Sequence, residues 1–158
     1  MKPSRYVCGI VTCGNEVVLI RKNRPEWQAG LLNGVGGRVE EKETLMWAMR
    51  REFTEEAGLC ISVRRWDKFL TLKSNDAEVS FFHAEINRAE LDSISAQTDE
   101  PILKMSIGDV TGTGYATDQI IPNLSWIIPM AMDHLIRQAV VTDQTRSNAF
   151  IVAMGDGE

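Results

Sequence analysis

A chain of 158 residues, 44% hydrophobic and 25% charged, has enough apolar material for one globular domain (1-158) and too little length for two full ones. Its formal net charge of -5 argues against broad binding to a nucleic-acid polymer, but not against a small phosphorylated ligand whose charge is met by cations held on carboxylates. No apolar run is long enough to span a bilayer, and the N-terminal MKPSRYVCGI lacks a sustained signal-peptide hydrophobic region, so a cytoplasmic protein without membrane attachment is expected.

In chain order, Tyr6 to Cys13 and Glu16 to Arg21 are apolar, β-branched runs joined by Gly14-Asn15, a hairpin signal. A polar loop, Lys22 to Gly30, leads to LLNGVGGRV, which is too rich in glycine for a helix and reads as an irregular strand whose backbone approaches something closely. Glu43 to Ala57 favours helix, with Leu45, Met49 and Phe53 on an inner face and Gly58 placed to cap it. Cys60 to Leu72 and Glu78 to Ile86 read as strands around the turn Lys73-Ser74-Asn75-Asp76. A polar connection from Asn87 to Glu100 precedes a short apolar run, Pro101 to Ile107, and then the loop GDVTGTGYATDQ. NLSWIIPMAMDHLIRQAV has apolar residues at helical spacing and is expected to form a second long helix, kinked or delayed in its start by Pro129. The tail from about 142 to 158 is ambiguous, since SNAFIVAM suits an edge strand or a loose end. The three cysteines, Cys8, Cys13 and Cys60, have no close pairing, so they support neither a disulfide framework nor a zinc knuckle.

The chemistry is concentrated in GRVEEKETLMWAMRREFTEEAGL, Gly37 to Leu59. On a helix, residues three and four apart share a face, so Glu52, Glu55 and Glu56 project together. Adjacent carboxylates repel, and hard cations such as Mg2+ or Mn2+ supply the compensating charge through oxygen ligands. For an arbitrary helix with three glutamates, a solvated acidic face is the commoner explanation; here the context reverses it.

Counting from Gly37, five residues precede Glu43, seven more precede Arg51-Glu52, and Phe53, Glu55-Glu56, Gly58 and Leu59 follow. This resembles the Nudix box, G-x5-E-x7-R-E-U-x-E-E-x-G-U with U a bulky apolar residue, at every defined position. The resemblance implies an α+β fold (an α/β/α sandwich) with a mixed β-sheet between helices and a loop-helix-loop box. It implies divalent metal, Mg2+ with Mn2+ as an option, on Glu52, Glu55, Glu56 and the Gly37 carbonyl, while Arg51 and Glu43 hold loop and helix together. It also implies hydrolysis of a nucleoside diphosphate linked to another group, by in-line attack of water at phosphorus. Glu56 and the loop residue Glu100 are the candidates for the group that takes the water's proton.

Within the family the chain is most similar to MutT-like nucleoside triphosphate pyrophosphohydrolases, including those that clear oxidised purine nucleotides. WQAGLLNGVGGRV is similar to the segment before their box: Trp27 falls where an aromatic residue lines the base pocket, and Asn33 where an asparagine bonds the base. Glu100 falls where these enzymes place a loop glutamate on metal. Arg21, Lys22 and Arg24 lie on the loop facing the box and are candidates to hold the triphosphate, although an exposed basic turn would explain them as well. Trp126 matches an aromatic residue that serves either packing or stacking. The Trp-x-Asp-Asp stretch of the human-type oxidised-purine enzymes is replaced by Ile120, Ile121, Pro122 and Asn123, with Asp118 and Asn123 as the available substitutes. Discrimination for oxidised guanine is therefore in doubt, because a base edge without its polar partners is poorly read.

The expected partner is a small nucleotide, with no nucleic-acid polymer and no membrane; oligomeric state is open, a homodimer included. The competing functions are hydrolysis of another nucleoside diphosphate derivative (a dinucleotide, ADP-ribose or a nucleotide sugar) and nucleotide binding without turnover. Intact box glutamates argue against the latter.

Overall fold

The computed structural model describes residues 2–136 and 138–142. Strands β1 (Ser4–Cys13) and β2 (Glu16–Arg21) form the expected hairpin. The glycine-rich stretch divides into two short strands: β3 (Leu32–Asn33) pairs antiparallel with β2, and β4 (Val35–Arg38) pairs antiparallel with β1. Then follow α1 (Leu45–Ala57), β5 (Asp67–Lys73), β6 (Ala77–Glu85), α2 (Arg88–Ser93), β7 (Ile102–Ser106), α3 (Ile107–Val110), α4 (Leu124–Met132) and β8 (Ala139–Thr142).

The strands form one eight-stranded mixed sheet with the path β3-β2-β1-β6-β5-β8, β4 pairing with β1 and β7 with β2. β1 and β6 run parallel, as do β5 and β8, and the other pairs are antiparallel. Successive residues of a strand face opposite sides. Tyr6, Cys8 and Ile10 of β1 therefore join a core with Leu19, Phe81 and, from α4, Leu124, Ile127 and Ile128. Val7 and Val11 join the opposite core with Val18, Phe82 and, from α1, Ala48, Met49, Phe53 and Ala57. The result is the expected α+β arrangement, a mixed sheet with helices on both faces.

Four boundaries differ from the sequence expectation. Helix α1 starts at Leu45 rather than Glu43, because the Thr44 hydroxyl accepts the Trp47 N–H at 3.3 Å and so caps it. Gly58, at φ 75, ends it with a left-handed turn. The strand expected from Cys60 begins only at Asp67, since Val63–Arg65 forms a 3-10 turn tied down by Arg65, whose guanidinium donates to the Glu85 carbonyl and to Glu90, both at 2.9 Å. The connection from Asn87 contains α2, started by a capping box in which Asn87 and Glu90 satisfy each other's backbone N–H.

The fourth difference is the second long helix. It stops at Met132, and residues 139 to 142 instead form β8 beside β5, with Leu70 opposite Ala139. Asp133 leaves the helix with its carboxylate accepting the Leu135 N–H at 2.9 Å, and the β-branched pair Val140-Val141 extends the sheet beyond it. Nor does Pro129 delay the helix start, since α4 begins upstream at Leu124. The expectation for SNAFIVAM lies outside the described residues.

Candidate active site

Helix α1 packs on β1 and β4, which brings the acidic helix against the strand carrying Gly37. A Cβ added at Gly37 would stand 2.5 Å from both carboxylate oxygens of Glu52. The backbone of β4 and the Glu52 carboxylate are thus in direct apposition, and any side chain at position 37 would displace the carboxylate. Glycine is required here for close approach.

Arg51 braces this apposition. Its guanidinium donates to both oxygens of Glu43, each at 2.9 Å, to Glu52 at 2.7 Å, to the more exposed Glu55 at 3.4 Å, and to the Arg38 carbonyl at 3.0 Å. One side chain thereby joins the end of β4, the loop before α1 and the helix itself. The bond to Glu43 above all, with Glu52 in addition, raises the guanidinium's pKa. The same bond holds the Glu43 carboxyl below its ordinary value.

The carboxylates facing the sheet behave differently. Burial raises the pKa of Glu52 against the opposing pull of Arg51. Glu56 is pushed up to about 7, first by burial and then by the like charges of Glu52, Glu100 and Glu55, with Lys22 pulling the other way. Its Oε2 is buried with no hydrogen-bond partner. Glu100 reaches this neighbourhood from the far side of the sequence: the Ser95 and Gln97 N–H groups donate to the Ala57 and Glu56 carbonyls at 3.2 and 3.0 Å, tying its loop to the end of α1. Glu100 is buried, and both its oxygens are engaged, one by the Lys22 ammonium at 2.9 Å and the other by the Asn23 N–H at 2.6 Å.

Among the described residues, no group of three His, Cys, Asp or Glu side chains is gathered into a metal-holding cluster. The glutamates instead stand in line along α1, with Arg51 already on Glu52. Two features nonetheless fit a hard cation. The Gly37 backbone and the Glu52 carboxylate form a cradle that a Cβ would fill, and the unpartnered Glu56 oxygen is a buried acceptor. Oxygen donors of this kind suit Mg2+ or Mn2+, which leave coordination positions to water and phosphate oxygens.

Asn33 of β3 and Asn123 at the start of α4 are both buried. Asn33 donates from its amide nitrogen to Gln28 at 3.1 Å, and its amide oxygen accepts the Gly34 N–H at 2.8 Å. Asn123 has a buried Nδ2 with no partner. Their two segments are stitched together, because the Leu32 N–H donates to the Gln119 carbonyl at 2.7 Å and its carbonyl accepts the Ile121 N–H at 2.9 Å. Trp27 lies in the 3-10 turn Glu26–Gln28 and is 47% exposed. Arg24 is exposed and lies 3.6 Å from Asp99. Trp126 is partly buried against the core around α4, and Asp118 is exposed.

The structure therefore links Gly37, Glu43, Arg51, Glu52 and Glu55 by direct contacts along α1, and places Glu56 and the Glu100 loop toward its C-terminal end. Arg24 is left at the rim. Two buried groups escaped the sequence reading. Lys22 belonged to a basic turn, but nothing local shows that it is buried against a residue 78 positions away. Gln28 orients Asn33, and its only signal is a polar side chain five residues upstream.

The fold and this arrangement define a loop-helix-loop carboxylate site on a mixed sheet. The NUDIX domain model matches residues 2–104, and the chain belongs to the Nudix family. It is 33% identical over 61 residues to an 8-oxo-dGTP diphosphatase of Buchnera aphidicola, a match covering 39% of this chain and 47% of the relative; the chain thus spans about half the length of the curated relative it matches. Among solved structures, a MutT from work on Aliivibrio salmonicida and Vibrio cholerae is similar at TM-score 0.63 and 18% identity, over 84% of this chain and 98% of the other. A bifunctional NMN adenylyltransferase/ADP ribose pyrophosphatase from Francisella tularensis is similar at TM-score 0.65 and 16% identity, over 83% of this chain and 41% of the other. At such identities these structures speak for the fold.

Proposed function

We propose that the protein is a divalent-metal-dependent pyrophosphohydrolase that splits a (deoxy)nucleoside triphosphate into the monophosphate and pyrophosphate. The observation that carries this reading is the apposition of the Gly37 backbone to Glu52, with the unpartnered Glu56 oxygen on the same helix. Glu52, Glu55, Glu56, the Gly37 carbonyl and Glu100 would hold Mg2+ or Mn2+. When bound, the metal would neutralise the diphosphate and make water at the site a better nucleophile.

The chain's own groups divide the remaining work. Arg51 and Glu43 keep Glu52 against β4. Glu100 has both oxygens engaged, so Glu56, with a spare oxygen, is the group assigned to accept the proton from the attacking water. A water oxygen bonds to the α-phosphorus, the bridging P–O bond breaks, and pyrophosphate leaves. Asn123, whose amide nitrogen has no partner among the described residues, would meet a carbonyl acceptor on the base, Asn33, oriented by Gln28, would bond the base as well, and Trp27 would cover it. Without the paired aspartates, strong preference for oxidised guanine is not expected. Arg24, at the exposed rim, would meet the outer phosphates.

A second reading, hydrolysis of ADP-ribose or a related diphosphate, is favoured by the Francisella tularensis neighbour, whose name includes that activity. Phosphorus NMR of the products formed with Mg2+ separates the two. The proposal expects monophosphate and pyrophosphate from a triphosphate; turnover of ADP-ribose alone would replace it. Among the described residues no helix is long and apolar enough to cross a membrane, and a cytoplasmic location is part of the proposal.

A further inference from the structure

We infer that Lys22 is a resident cation of the substrate-free site, placed by its bond to Glu100 so that it offsets the carboxylates until a divalent ion arrives and thereby weakens the binding of that ion. The inference rests on the metal site proposed above.

Three observations support it. Lys22 is buried, and lysine is rarely buried without a partner. Its ammonium is 2.9 Å from Glu100 Oε1, with both side chains under a tenth exposed. Glu100 is meanwhile fixed from two directions, by the Asn23 N–H on the β2 side and by a loop whose Gln97 N–H bonds the Glu56 carbonyl. The ammonium is therefore confined between the end of β2 and the end of α1. It shares with the expected metal the task of neutralising Glu100. Two cations serving the same carboxylates repel each other, and in a partly dehydrated site that repulsion is far stronger than in water.

Calorimetric titration of the substrate-free protein with Mn2+ tests this without turnover. Lys22→Met is expected to bind Mn2+ roughly tenfold more tightly than the native chain, whereas Lys22→Arg, which keeps the charge, stays within about twofold of it. Unchanged or weaker binding by a folded Lys22→Met overturns the inference. That variant leaves Glu100 buried without its partner and can fail to fold; the pair Glu100→Gln and Lys22→Met/Glu100→Gln then decides. The single variant retains an unpaired ammonium and should bind Mn2+ most weakly, and the double variant should recover roughly tenfold. A double variant no tighter than Glu100→Gln overturns the inference. Native protein that binds no Mn2+ would remove the proposed metal site as well, whereas native binding indifferent to Lys22 would remove this inference alone.

Discussion

The two ends of the candidate site are built in different ways. The proposed phosphate end comes almost entirely from one run of chain, Gly37 to Gly58, in which Arg51 ties strand, loop and helix together. The proposed base end is assembled from Trp27, Asn33 and Asn123, on segments brought together by backbone bonds at Leu32, and it contains a buried amide nitrogen with no protein partner among the described residues. Cross-braced groups hold a fixed geometry for chemistry common to many substrates. An unpartnered donor suits a ligand that offers it an acceptor. The first end should therefore be intolerant of change in rate, and the second in selectivity.

The hardest test of the phosphate end is Glu56→Gln, which keeps shape but removes the charge and the proton acceptor. It should fold normally and lower kcat by about a hundredfold or more, and Glu55→Gln should also lose most activity. Normal turnover in both would contradict the site. Gly37→Ala should follow, since its methyl group would collide with the Glu52 carboxylate. A displaced carboxylate predicts a loss of roughly ten- to a hundredfold in kcat/KM, with circular dichroism unchanged.

At the base end, Asn123→Leu removes a buried donor that has no partner in the protein. Thermal stability should hold or rise, while KM for the preferred triphosphate rises about tenfold and kcat moves little. A large fall in kcat instead would show that the two ends are not separable.

The smallest effect lies outside both ends. Arg65 holds the Glu90 carboxyl down at about 2, with the Asn87 N–H assisting. A carboxyl whose folded pKa lies below its unfolded value contributes stability that is full above about pH 4.5 and lost as pH falls toward 2. Since Arg65 is 39% exposed, screening keeps this contribution to about 1 kcal/mol or less. Urea denaturation of Arg65→Ala should show a deficit at pH 7 that closes near pH 2. A deficit independent of pH would assign Arg65 to packing.

The same contrast governs what was legible in the sequence. The box could be read because Gly37, Arg51 and the glutamates keep fixed separations along a loop and helix, so spacing alone implies a shared face. The hairpin at Gly14-Asn15 was legible for the same local reason. The Asn87-x-x-Glu90 capping box was equally local, yet it sat unread within a polar stretch. The end of α4 was not legible, because apolar residues continue at helical spacing past Met132 and the outcome turns on an Asp133 turn and on room beside β5. Burial of Lys22 against Glu100 likewise depends on a tertiary contact between residues 78 positions apart.

Release of pyrophosphate with Mg2+ across a panel of canonical and oxidised nucleoside triphosphates, ADP-ribose and dinucleoside polyphosphates, with Glu56→Gln as the blank, tests the central claim most directly. The account predicts metal-dependent pyrophosphate release from triphosphates that Glu56→Gln abolishes. Release that survives in Glu56→Gln, or no release from any triphosphate, would contradict it.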